Sequence, residues 1–161
     1  MKRMMTLALG LTLSAFAPAM MPERAEASGA CALDADLGLA AIQGINAQRR
    51  AAGMQGLHGS RALQAAARNH VCDMARSGRM SHQGSDGSTL GQRVRQAGAR
   101  CSMMAENVAM GQRSGAEVVR AWQASAGHRA NNMNRGFTQG AVAAARGADG
   151  RVYWVAVMGK C

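Results

Sequence analysis

The sequence predicts an α+β domain with helices packed against an antiparallel sheet. Three observations lead there. Apolar residues recur at helical spacing through the first two-thirds of the chain beyond residue 30. Two short apolar runs flank Asp149-Gly150 near the C-terminus, the signature of a β-hairpin. Helices come first and strands last, with none of the strand–helix alternation of a parallel sheet.

The first helix spans Leu33 to about Ala52, with Leu37, Ala41, Ile45 and Gln48 on one stripe, and Gly53 ends it. Arg61 to Ser77 forms a second helix, stopped by Gly78. Its inner face carries Leu63, Ala66, Ala67, His70 and Met74. Ser81 to Ser88 is a loop with an Asp86-Gly87 turn, and Thr89 to Ala97 a short helix ending at Gly98. Met103 to Ala109 is strand-like. Ser114 and Glu117 make the S-x-x-E pattern of a capping box and open a helix over about 115–124. A helical turn follows Gly127. Residues 140–146 and 152–157 form the closing hairpin.

Residues 1–27 read as a signal peptide. Lys2 and Arg3 precede an apolar stretch from Met4 to Met21, and Ala25-Glu26-Ala27 has the small-x-small form of a cleavage site. The stretch is too short and too interrupted, by Gly10 and Pro18, to span a bilayer. The expected mature protein is one domain, residues 28–161, secreted or held in the periplasm or envelope, with no transmembrane segment. It keeps Cys31, Cys72, Cys101 and Cys161, an even number suited to disulfides in an oxidising compartment. Of the three pairings, the preferred one joins Cys31 to Cys161, tying the ends, and Cys72 to Cys101. A cysteine zinc site carries less weight because no C-x-x-C pair exists.

The net charge is +10 and nearly all of the basic residues are Arg. Such a charge favours anionic partners, envelope polymers or lipid headgroups among them, although an Arg-rich soluble exterior accounts for it more simply. The arginines are scattered and not interleaved with aromatics, which argues against a dedicated nucleic-acid surface. No G-x-S-x-G elbow, phosphate-binding loop or H-E-x-x-H motif is present.

His82, Glu106 and His128 stand out. Two imidazoles and a carboxylate, brought together by folding, make a divalent-metal site or a small acid–base cluster. Glu106 lies in the apolar phrase Met103–Ala109, on the face opposite Ala105 and Asn107, and a carboxylate there needs a partner or a raised pKa. His70 reads as a core histidine, because it lies on the apolar stripe of its helix. His58 reads as an exposed loop histidine.

Taken in order, Ile45-Asn46-Ala47-Gln48-Arg49, His70, Ser81-His82, Asp86-Gly87, Arg93 with Ala97-Gly98, Ala105-Glu106-Asn107-Val108-Ala109, Trp122, Gly127-His128-Arg129-Ala130-Asn131 and Tyr153-Trp154 form a pattern. It resembles the CAP superfamily, the SCP-like or cysteine-rich secretory, antigen 5 and pathogenesis-related domains, in its bacterial secreted branch, over about residues 35–158. The resemblance implies an α-β-α sandwich with a small antiparallel sheet between helices. It implies structural roles for Asn46, Arg49, His70, Asn107 and Trp122. It also implies that His82, Glu106 and His128 meet in a cleft which, in some eukaryotic members with a second acidic residue, binds zinc. Here Gln123 and Ser125 stand where that second acid is sought, and Glu117 reads as a helix cap. The set left is two His and one Glu, able to hold zinc with an open water position. The family has no single chemistry. The leading expectation is a binding or interaction protein with an unidentified ligand in a polar cleft. A metal-dependent hydrolase of envelope peptides or esters and an apolar-lipid carrier are the alternatives.

Overall fold

The computed structural model describes residues 31–161. The expected signal peptide and its cleavage after Ala27 lie outside the described residues. The elements run β1 (Ala32–Leu33), α1 (Ala35–Ala51), β2 (His58–Gly59), α2 (Arg61–Ser77), α3 (Leu90–Gln96), β3 (Met103–Met110), α4 (Gly115–Ala124), α5 (Ala126–Asn132), β4 (Gln139–Arg146) and β5 (Val152–Lys160). Local chemistry sets the helix starts. Asp34, Ser60, Thr89 and Ser114 each accept a hydrogen bond from the backbone N–H three residues on. Gly78 closes α2 at φ 66°, a left-handed turn that a side chain would strain.

The sheet runs β1-β4-β5-β3, antiparallel along that path, and β2 pairs with β4 in parallel. The α+β sandwich anticipated from the sequence is therefore present, with one short parallel contact added. Successive strand residues face opposite layers. Val108, Ala141, Ala143, Ala145, Tyr153, Val155 and Val157 pack with α2 and Val94 of α3. Ala109, Val142, Ala144, Trp154, Ala156 and Met158 pack with α1 and α4. The sheet is buried on both faces, so its strands read as continuous apolar runs. Its many alanines let the helices lie close. α4 lies tight against α1 at Gly115, where a Cβ would stand 2.7 Å from the Ala41 nitrogen.

The cysteines correct the expected pairing. Cys31 bonds Cys72, with Cα atoms 5.3 Å apart, and Cys101 bonds Cys161, at 3.8 Å. The register explains the second bond: Met103 pairs with Lys160, so Cys101 and Cys161 flank the same end of the β3–β5 ladder. Cys31 precedes β1 on the opposite edge of the sheet, where α2 packs, and so meets Cys72 and not the distant C-terminus. Among the described residues no helix is long and apolar enough to cross a membrane.

Candidate functional site

β3 is an edge strand, and its alternation builds the site. Glu106 faces the α2–α3 layer and Asn107 the opposite one. Glu106 is 7% exposed, and both of its oxygens are engaged. Oε1 lies 2.9 Å from His82 Nδ1, and Oε2 accepts from Arg93 Nη2 at 2.8 Å. A second imidazole nitrogen, His70 Nε2, lies 3.8 Å from Oε1. The buried carboxylate thus has the partner that the sequence demanded, in the form of a guanidinium that is itself 6% exposed.

Arg93 does more than neutralise. Its Nη2 also donates to the His82 carbonyl and its Nη1 to the Ser88 carbonyl. One side chain therefore fixes both ends of the loop carrying His82. The His82 side chain stays 61% exposed. With Nδ1 donating to Glu106, Nε2 is left bare toward solvent.

On the other face, Asn107 donates to the His128 carbonyl at 3.0 Å and to Asn132 Oδ1 at 2.9 Å, and accepts from Asn131 Nδ2 at 2.8 Å. These bonds dock α5 and hold His128 at the strand edge. Burial keeps the His128 pKa below that of a free histidine, so the neutral ring predominates at pH 7. Folding therefore brings His82 and Glu106 into contact, and it ties His128 by its carbonyl to Asn107, the next residue along β3. Among the described residues, no three His, Cys, Asp or Glu side chains are arranged to hold a metal ion.

The remaining residues named from sequence have structural contacts. Asn46 exchanges two hydrogen bonds with the Leu57 backbone. Arg49, 1% exposed, donates to the carbonyls of Gln55, Asn132, Asn134 and Phe137. Trp122 Nε1 donates to the Val108 carbonyl. His70 Nε2 lies 2.8 Å from the Ser81 carbonyl, so it carries the proton and donates. His58 is exposed in β2, and Glu117 accepts from the Arg113 N–H at the start of α4. Gln123 bonds Gln48.

Arg93 is the site residue that residue-by-residue reading missed. Leu90, Arg93, Val94 and Ala97 fall at i, i+3, i+4 and i+7, which puts an arginine on the inner stripe of α3. An arginine there calls for a buried anion, and Glu106 is the nearby carboxylate in an apolar phrase.

Residues 42–158 match the model of the cysteine-rich secretory protein family, CAP. A Bacillus subtilis (strain 168) protein described as uncharacterized, YkwD, is 32% identical over 97 residues, covering 60% of this chain and 38% of that protein. The chain therefore spans well under half of that relative's length. Two solved structures share the fold. An outer surface protein from Borrelia burgdorferi has a TM-score of 0.68 at 20% identity, covering 74% of this chain and 88% of its own. An extracellular protein containing an SCP domain from Bacillus anthracis str. Ames has a TM-score of 0.67 at 23% identity, covering 77% and 41%.

Proposed function

This chain belongs to the cysteine-rich secretory protein family, and on that premise we propose that it is an exported, envelope-associated binding protein whose polar cleft holds a divalent ion weakly on His82 and His128. The observation that carries this reading is the Glu106–His82 contact. A carboxylate that accepts a hydrogen bond from Nδ1–H of an exposed imidazole fixes its tautomer and presents Nε2 as a ligand. His128, neutral at pH 7, is the natural second nitrogen. Two imidazoles with water in the remaining positions suit zinc.

Glu106 has an orienting role in this arrangement. Both of its oxygens are occupied, one by His82 and one by Arg93, so it is not free to coordinate directly. A bound zinc ion would supply a Lewis-acid centre to a ligand's oxygen. The chain's own groups contribute orientation: Glu106 sets His82, Arg93 sets Glu106 and the loop, and Asn107 sets the α5 end carrying His128. Among the described residues, the ion-pair partners of Glu106 are His70, His82 and Arg93, and they leave it no free oxygen to act as a base. The engagement of both Glu106 oxygens favours an orienting role for it over that of a hydrolytic base. Secretion is supported by the descriptions of the related proteins and by the leader-like residues 1–27.

Calorimetric titration with zinc at pH 7.5 tests the reading. Uptake of one ion per chain is expected, with affinity falling at least tenfold in the His82→Ala/His128→Ala double variant. No uptake, or uptake unchanged by that substitution, contradicts it. Affinity should also fall at pH 5, because a protonated imidazole cannot ligate.

A further inference from the structure

β3 pairs with β5 along one side and, among the described residues, with no strand along the other. The hydrogen bonds show which of its residues turn their main chain outward. The Gly111 N–H donates to the Val152 carbonyl on the β5 side, and the Val108 carbonyl accepts from Trp122 Nε1. The N–H and C=O of one strand residue share a side, and successive residues alternate. Met104 and Glu106 therefore face outward with Val108, while Ala105, Asn107 and Ala109 face β5. The Trp122 bond closes this edge at Val108. Before it the edge is open: among the described residues, no hydrogen bond reaches the N–H or carbonyl of Met104 or Glu106 from outside. Met103 is 40% exposed, and Met104 and Ala105 are partly exposed. Glu106 is 7% exposed as a residue but its side chain only 3%, so most of what it shows to water is main chain.

Met104 and Glu106 thus offer a donor and an acceptor each, repeating at about 7 Å, two residues of a strand. Another extended chain presents complementary groups at that repeat, which is the basis of strand addition to a sheet edge. The surroundings belong to the site already described. The His82 ring bonds the Glu106 side chain on one face of β3, and Asn107 holds the His128 carbonyl of α5 on the other. Charge selects the occupant. Arg100, just before β3, and Lys160, opposite Met103, are exposed at the open end. Glu106, the acid of this strand, is already paired with Arg93. An acidic chain is therefore attracted. A second copy is opposed, because the chain has a formal charge of +10. So short an edge also falls short of the roughly 1,000 Å² that a stable interface buries.

We propose that the open edge of β3 binds an acidic peptide in extended form, main chain to main chain at Met104 and Glu106. The proposal rests on the reading of this cleft as a binding site and names the class of its ligand. It needs no zinc ion, so it and the metal reading can fail separately.

The test is a titration of the mature, metal-free protein with an end-blocked hexapeptide of alternating Val and Glu, followed by amide NMR and hydrogen exchange. The same peptide N-methylated at every amide, and one with Lys in place of Glu, serve as comparators. Saturable shifts centred on residues 103–107 are expected, with a dissociation constant on the order of 1 mM. Exchange at the Met104 and Glu106 amides should slow about tenfold. The N-methylated peptide should not bind, and the Lys peptide should bind about tenfold more weakly. Met104→Pro removes one outward donor and leaves the β5 ladder in place, so it should weaken binding about tenfold. The N-methylated peptide asks the same question without altering the protein. No saturable shift, equal binding of either comparator, or protection of the same amides by self-association of the peptide-free protein would overturn the proposal. Peptide binding without zinc uptake would sink the metal reading alone, and zinc uptake without peptide binding would sink this one alone.

Discussion

Arg49 and Glu106 are both buried charges, 1% and 7% exposed, and they are handled in opposite ways. Arg49 has no anionic partner among its hydrogen bonds. Its guanidinium is satisfied by four carbonyls from α1's C-terminal loop, the end of α5 and the segment leading to β4. Burial, with Arg135 a secondary cause, holds its pKa below the ordinary arginine value. Glu106 instead faces a guanidinium and two imidazoles, and one of those imidazoles opens to solvent. The first arrangement ties irregular backbone into the fold and offers nothing to a ligand. The second uses its charge to orient an exposed ring. A buried charge marks a site when its partner reaches water, and a scaffold when its partners are all backbone.

Substitutions should separate the two. Arg49→Ala strands four carbonyls and is expected to lower stability by about 4 kcal/mol, read as a shift in the urea midpoint, while any remaining folded protein keeps its zinc affinity. Glu106→Ala leaves Arg93 buried without its carboxylate, at a cost of about 3 kcal/mol, and should also weaken zinc binding tenfold or more. The pair is coupled, so Glu106→Leu/Arg93→Met should be less destabilised than the sum of its single changes. An additive cycle would mean that the ion pair is not the organising contact.

A smaller effect follows from His70. Burial is the largest influence on its pKa and lowers it, against an opposing pull from Glu106. A folded pKa below the unfolded value of about 6.5 means that the unfolded chain takes up the proton first as pH falls. The contribution of His70 is thus complete above that value and is lost as pH drops toward the folded pKa. His128 acts in the same direction. Urea midpoints should decline from pH 7 to pH 5, and His70→Gln should make that decline shallower. A steeper decline in the variant would contradict the neutral, buried assignment.

Much of this architecture is legible in the sequence, because local signals agree with the tertiary outcome. Ser60 and Gly78 bound α2 where the apolar stripe begins and ends, and Asp149-Gly150 marks the turn between β4 and β5. The α1–α4 contact is less visible, since it depends on Gly115 meeting Ala41 within one helical layer, from segments far apart in the chain. β1 and β2 are two residues each and exist only because β4 offers them an edge, so no periodicity could announce them. The disulfides depend on strand register, which chain order does not reveal. At the site, His82 and Glu106 were legible as residue types. Arg93 was hidden because an arginine in a basic chain reads as surface until its place on the inner stripe of α3 is noticed. The two faces of β3, with Glu106 and Asn107 parting toward different layers, explain why His128 arrives by way of α5 and not through Glu106.

The most direct measurement is the ring-nitrogen NMR spectrum of His82 in the mature protein, with and without zinc at pH 7.5. The account predicts protonated Nδ1 and bare Nε2 in the metal-free state, with zinc shifting Nε2 of His82 and a ring nitrogen of His128 together. A His82 ring protonated at Nε2 instead, or zinc-induced shifts that bypass both rings, would contradict it.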